Sequence, residues 1–539
     1  MKIRRLAVSM LVTLVASSAI SAPAFGADPE KGSITLANGK VLPPPPAPFG
    51  ESIHSEMLSD APKAPAFQPG GKPSVELAQP VIGRTSADAT GSVLSIGPGG
   101  SLPNNLRKEV LGFLPYWMLD ANTLSGMRYD LVSTIAYFGV AARSDGYLTK
   151  SGSTWTGWTS AALTGVVNAA HARGVRVVPT VTFMAWDGNY GPMTTLLNNA
   201  GLRARLVGEI ATLVKSRGAD GVNIDFEPVP TTLRASFSTF IRELKAGMVR
   251  AGARSYLTVD TMAGAATWAT GYDVTALTAS GAADALMVMA YDFSWSGSSR
   301  AGGVAPFDSQ YIFDATDAVA DYLLAAPASK LIWGVPYYGR TWPTVNNALN
   351  SITCRKVTPD PCPKSKIDAP GWSAAYVYTA HRDQAAKYGR LWDALGAVPW
   401  YRWYDSVNVT WRQGYYDDPA SLRVKYDLVS NRALAGIGIW SLGMDTGTSD
   451  LWNVIAAKFR GQLYGLPGWP AYARASLTAA QDYAYRIYKA RYLSDWRTGP
   501  PRWGRKAWGD DYRSESYANA AAYCLRILIA EARAAGIAV

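Results

Sequence analysis

Between residues 109 and 442 the chain carries a series of short apolar runs, at 110–114, 131–140, 175–181, 221–226, 256–262, 285–291, 331–337 and 434–442. Each is nearly continuous in apolar residues rather than alternating. That is the pattern of a strand covered on both faces. Amphipathic stretches such as 204–217 and 233–250 lie between most of them. Continuous apolar strands alternating with helices predict a parallel sheet of the α/β class, and this many repeats predict a (β/α)8 TIM barrel. An open, doubly wound sheet is the alternative. The interval between Trp342 and Leu434 is too long for one strand–helix unit. It reads as a small α+β insertion, at about 343–430, between strands seven and eight.

The flanks follow other rules. Lys2, Arg4 and Arg5 precede an apolar run from Leu6 to about Ile20, followed by small residues around Ala22 and Ala24. Residues 1–26 therefore read as a secretory signal peptide, with an uncleaved anchor as the alternative. A secreted or cell-wall-associated protein is expected, with no stable membrane insertion after signal cleavage. Residues 27–105 are rich in Pro and Gly, including Pro43 to Pro46, and read as an extended tether. The barrel is placed at 106–460. Residues 468–539 read as a helical C-terminal region with an excess of positive charge, which either binds an anionic wall polymer or packs on the barrel.

Composition narrows the chemistry. The 539 residues include 52 Lys+Arg, 41 Asp+Glu and 3 His, for a net charge of +11, with 48% hydrophobic and 17% charged residues. This is a globular composition. With 3 Cys and 3 His, neither a disulfide scaffold nor a rich zinc or copper site is expected. Neither a P-loop nor a dinucleotide fingerprint is visible, so no nucleotide cofactor and no nucleic-acid partner are expected. Cys354 and Cys362 are close enough in sequence for a local disulfide within the insertion, and Cys524 reads as a buried thiol.

The most informative segment is Asp220-Gly221-Val222-Asn223-Ile224-Asp225-Phe226-Glu227. Alternate side chains of a strand share a face, so Asn223, Asp225 and Glu227 point one way. Polar groups inside an apolar strand are costly unless hydrogen-bonded or functional. Glu227 comes last, at the C-terminal end of the strand, where barrel active sites form. A carboxyl beside another carboxylate in a buried site keeps its proton at higher pH, as a general acid requires.

These residues resemble glycoside hydrolase family 18, the chitinase-type barrels. The family signature Asp-x-x-Asp-x-Asp-x-Glu corresponds to Asp220, Asn223, Asp225 and Glu227. Met289-Ala290-Tyr291-Asp292, Gly334 to Arg340, Tyr416 to Pro419 and Gly438 to Asp445 follow in the family's order, and the resemblance spans about 109–459. It implies substrate-assisted, retaining cleavage of β-1,4-linked N-acetylglucosamine glycans, without metal or organic cofactor. Glu227 would be the acid and base, Asp225 and Tyr291 would hold the substrate's acetamido group, and Trp440 would form the floor under the sugar. Asn223, Asp220, Met289, Asp292, Arg340, Trp117, Trp295 and Trp342 are assigned to substrate binding. Asn223 departs from the signature, since an Asp there could share a proton with Asp225; Asn223 is expected to donate an N–H to Asp225 instead. Chitin or chitooligosaccharides are the first substrate reading and peptidoglycan the second. A non-catalytic lectin on the same barrel is the rival, which the presence of Glu227 argues against.

Overall fold

The computed structural model describes residues 34–35, 41–42, 52–59, 67–70, 72, 102–354, 361–362, 364–365 and 373–460. The signal-peptide reading, most of the tether, Cys524 and the C-terminal region lie outside these residues. Two compact units are present, 1–47 and 48–539. In the first, Ile34–Thr35 pairs antiparallel with Val41–Leu42. Everything below concerns the second.

All the apolar runs become strands of one closed parallel barrel. Its strands are β1 (Glu109–Pro115), β2 (Thr134–Ala141), β3 (Arg176–Met184), β4 (Gly221–Glu227), β5 (Tyr256–Met262), β6 (Ala285–Met289) and β7 (Leu331–Pro336), and β13 (Gly436–Trp440) closes the ring between β7 and β1. Every residue of β1 and β4 is buried. This is why the runs are continuous: one face meets the barrel interior and the other meets the surrounding helices. Those helices obey ordinary local rules. Ala200–Ser216 starts where Asn199 accepts the Gly201 and Leu202 amides and buries Leu206, Val207, Ile210, Leu213 and Val214 on one face. No helix among the described residues is long and apolar enough to cross a membrane.

The barrel floor is polar. Glu109 on β1 accepts hydrogen bonds from Thr134 on β2, Arg176 on β3 and Tyr256 on β5, and the Arg176 guanidinium lies 4.1 Å above the Tyr256 ring. Three donors converging on one carboxylate oxygen help offset the desolvation of this buried ion pair.

The insertion between β7 and β13 is an antiparallel sheet of β8 (Tyr338–Thr344), β9 (Ala374–Val377), β10 (Leu391–Asp393), β11 (Val398–Asp405) and β12 (Thr410–Tyr416), ordered β9-β8-β12-β11-β10, with the helix Tyr378–Tyr388 beside it. Cys354 and Cys362 are joined by a disulfide within it. The insertion begins earlier than expected. Pro336 ends β7, the Tyr337 amide turns to the Trp440 carbonyl at 2.7 Å, and Arg340 and Trp342 therefore sit on the first inserted strand rather than at the end of β7.

Within the stretch read as an extended tether, residues 53–59 form a helix, α1 (Ile53–Ser59), with Ile53 and His54 fully buried. Residues 67–70 are also docked: Gly70 donates to the Thr159 carbonyl and Ala161 to the Gln68 carbonyl. A Pro/Gly-rich composition disfavours a core of its own, but it does not prevent a few residues from borrowing another domain's.

Candidate functional site

The C-terminal ends of the barrel strands bring together Asp225, Glu227, Tyr291 and Trp440, and one side chain touches all four. The His54 imidazole stacks on Trp440 with ring centroids 3.7 Å apart. Its Nδ1 lies 3.1 Å from Asp225 Oδ2 and 3.3 Å from Glu227 Oε1, and its Nε2 is 2.8 Å from the Tyr291 hydroxyl. Phe113 and Phe138 complete an apolar collar around Trp440. Ser52 Oγ donates to Glu227 Oε1 at 3.2 Å, and the Ile53 amide donates to Asp292 Oδ2 at 2.7 Å. Glu56 forms an ion pair with Arg340, whose other amino group donates to Ser373. The site is therefore filled by the chain's own leader.

Electrostatics follow from burial. Glu227 is fully buried, and burial, reinforced by the Asp225 charge, pushes its carboxyl up to about 8; His54 pulls it partly back. For His54, burial acts to lower the pKa, but Asp225 and Glu227 outweigh it and hold the imidazolium up to about 10. Asp292 is raised by burial and restrained by Arg340.

Other expected residues take different places. The hydrogen bonds of Asn223 go elsewhere than Asp225: its amide donates to Asp260 Oδ2 at 2.8 Å, while Thr258 donates to its carbonyl at 2.6 Å. This corrects the expected Asn223–Asp225 bond. Asp220 is also corrected. It precedes β4, at the opposite end of a strand about 20 Å long, and accepts hydrogen bonds from His171 (3.0 Å), the Val177 amide (2.8 Å) and Arg254 (2.6 Å). It is a brace of the barrel's N-terminal end and does not reach a substrate. Trp342 is buried, donates its indole N–H to the Trp295 carbonyl and meets Tyr415 edge-on, so it has no face open to a glycan. Trp117 and Trp295 are partly exposed at loops beyond β1 and β6, and Met289 ends β6, buried.

Sequence reasoning missed Asp260, Ser52, His54 and Glu56. Asp260 lies in an apolar strand, where alternation with Thr258 gave a signal that went unused. The leader residues gave none, because a seven-residue helix in a Pro/Gly-rich stretch has no periodicity to read. One oxygen each of Asp225 and Asp260 and one nitrogen of His54 lie within 4.8 Å of one another. Both ring nitrogens of His54 are engaged, Nδ1 with Asp225 and Nε2 with the Tyr291 hydroxyl.

The sequence profile of "Glycosyl hydrolases family 18" matches residues 163–445, more than half of the chain. The "Probable endochitinase" of Caenorhabditis elegans is 27% identical over 328 residues, covering 57% of this chain and 50% of that protein. The "Cortical fragment-lytic enzyme" of Bacillus subtilis is 24% identical over 271 residues, covering 49% of this chain and 57% of that protein. The chain thus spans about half the length of these relatives. Among solved structures, a chitinase from Trichuris suis superposes with a TM-score of 0.53 at 16% identity, over 63% of this chain and 93% of that one. A likeness that distant supports the barrel fold alone.

Proposed function

Because the chain belongs to glycosyl hydrolases family 18, we propose that it hydrolyses β-1,4 bonds in N-acetylglucosamine-containing glycans, with chitooligosaccharides as the first substrate class. One observation carries the reading: Asp225, Glu227, Tyr291 and Trp440 converge on a single ring-sized space, now held by His54. A pyranose ring placed there would stack on Trp440. Glu227, protonated at neutral pH, gives its proton to the glycosidic oxygen as the bond to the anomeric carbon breaks. The substrate's own acetamido oxygen forms the new bond to that carbon, closing an oxazolinium ring. Asp225 accepts the acetamido N–H and offsets the positive charge, while the Tyr291 hydroxyl donates to the acetamido oxygen. Glu227, now a carboxylate, takes a proton from water, whose oxygen attacks the anomeric carbon and reopens the ring. Two inversions retain the configuration.

A second reading, peptidoglycan, is favoured by the similarity to the cortical fragment-lytic enzyme and by the net charge of +11. Export of the protein is part of the proposal. The basic, apolar N-terminus and the Cys354–Cys362 disulfide both suit an oxidising compartment.

The test is release of reducing ends from chitin oligomers and from purified peptidoglycan by the full chain and by His54→Ala. At least one substrate should be cut, and Glu227→Gln should lower kcat by about 10²–10⁴-fold. No release from either glycan by either protein would refute the hydrolase reading and favour the lectin.

A further inference from the structure

We propose that residues 52–56 are an intramolecular inhibitor that occupies the sugar-binding centre; the inference rests on the hydrolase reading above. The fit is made group by group. The His54 ring lies flat on Trp440, where a sugar would lie. His54 Nδ1 lies against one oxygen of each acid and His54 Nε2 against the tyrosine hydroxyl. Ser52 donates to Glu227 Oε1, the oxygen that also faces His54 Nδ1. The Ile53 amide and the Glu56 carboxylate take Asp292 and Arg340, the polar pair assigned to sugar hydroxyls. A generic surface helix would not reproduce this alternation of stacking, donor and acceptor. His54, Asp225 and Glu227 are each fully buried, so substrate cannot enter while the segment is seated.

The covalent connection makes a modest contact sufficient. Residues 67–70 are docked against residues 159–161, so the helix is held near the site from its C-terminal side. A tethered segment meets its site at an effective concentration on the order of millimolar. An affinity of tens of micromolar would then keep the site closed at a ratio of roughly tens to one.

The experiment compares the full chain with His54→Ala/Glu56→Ala and with the milder Glu56→Gln, using chitotetraose hydrolysis and hydrogen exchange at residues 53–56. In the parent chain the Ile53 amide should be protected. The double variant should lose that protection and gain at least about tenfold in kcat/KM, with Glu56→Gln between. A synthetic peptide of residues 50–60 should inhibit the double variant competitively. Equal hydrogen exchange in parent and double variant, or equal kcat/KM where both hydrolyse, overturns the proposal. Protection lost in the double variant while no variant cuts any glycan would keep the segment as a ligand of the site and refute the hydrolase reading instead.

Discussion

Asp220→Ala separates a signature residue's position from its role. Asp220 opens the family motif, yet it braces the far end of the barrel. Alanine leaves the His171 Nε2 and the Val177 amide without their acceptor, both buried. Each buried donor left unpaired costs about 1–3 kcal/mol. Arg254 is about one-third exposed and rehydrates, so its share is only ~0–1 kcal/mol. The expected loss of stability is about 3–5 kcal/mol. At ~2 cal/mol/K of unfolding entropy per residue, over a barrel of about 350 residues, this lowers Tm by roughly 4–7 °C. Calorimetry measures that shift, and initial rates at 25 °C, well below the transition, measure kcat. Hydrolysis by the folded variant should stay within about threefold of the parent, because the site lies about 20 Å away along β4. An unchanged Tm with a large fall in kcat would refute the argument and return Asp220 to the active site.

Two pH predictions follow from the buried charges. Activity needs protonated Glu227, and the neighbouring Asp225 charge raises its carboxyl, so kcat/KM of His54→Ala should fall on the alkaline side at a pH above the ordinary carboxyl range; a fall centred at the ordinary Glu value of 4.5 would refute the acid assignment. The seated leader should weaken at high pH. The groups facing His54 are Asp225 and Glu227 on β4, Asp260 on β5 and Tyr291 beyond β6, with uncharged walls from Phe113, Phe138 and Trp440. Since His54 is raised from 6.5 to about 10 when seated, its contribution is complete below 6.5 and fades toward 10. Inhibition by the 50–60 peptide should weaken over that range, and a constant inhibition constant would refute the charge pairing.

The barrel was legible in the order of residues because each strand is buried on both faces, and such burial leaves an unbroken apolar run. Asp225 and Glu227 were legible because the two-residue repeat of a strand and the C-terminal-end rule for barrels are local properties of the chain. The tertiary structure decided whatever depends on neighbours brought from elsewhere. It turned Asn223 toward Asp260, because Thr258 on the adjacent strand fixes its carbonyl, and it set Asp220 among His171, Val177 and Arg254. It also placed His54 on Trp440, a contact across 386 positions of sequence for which neither partner's surroundings hold a sign. Periodicity records which face of an element is buried. It does not record what buries it, and at this site that choice separates an open groove from one closed by the chain itself.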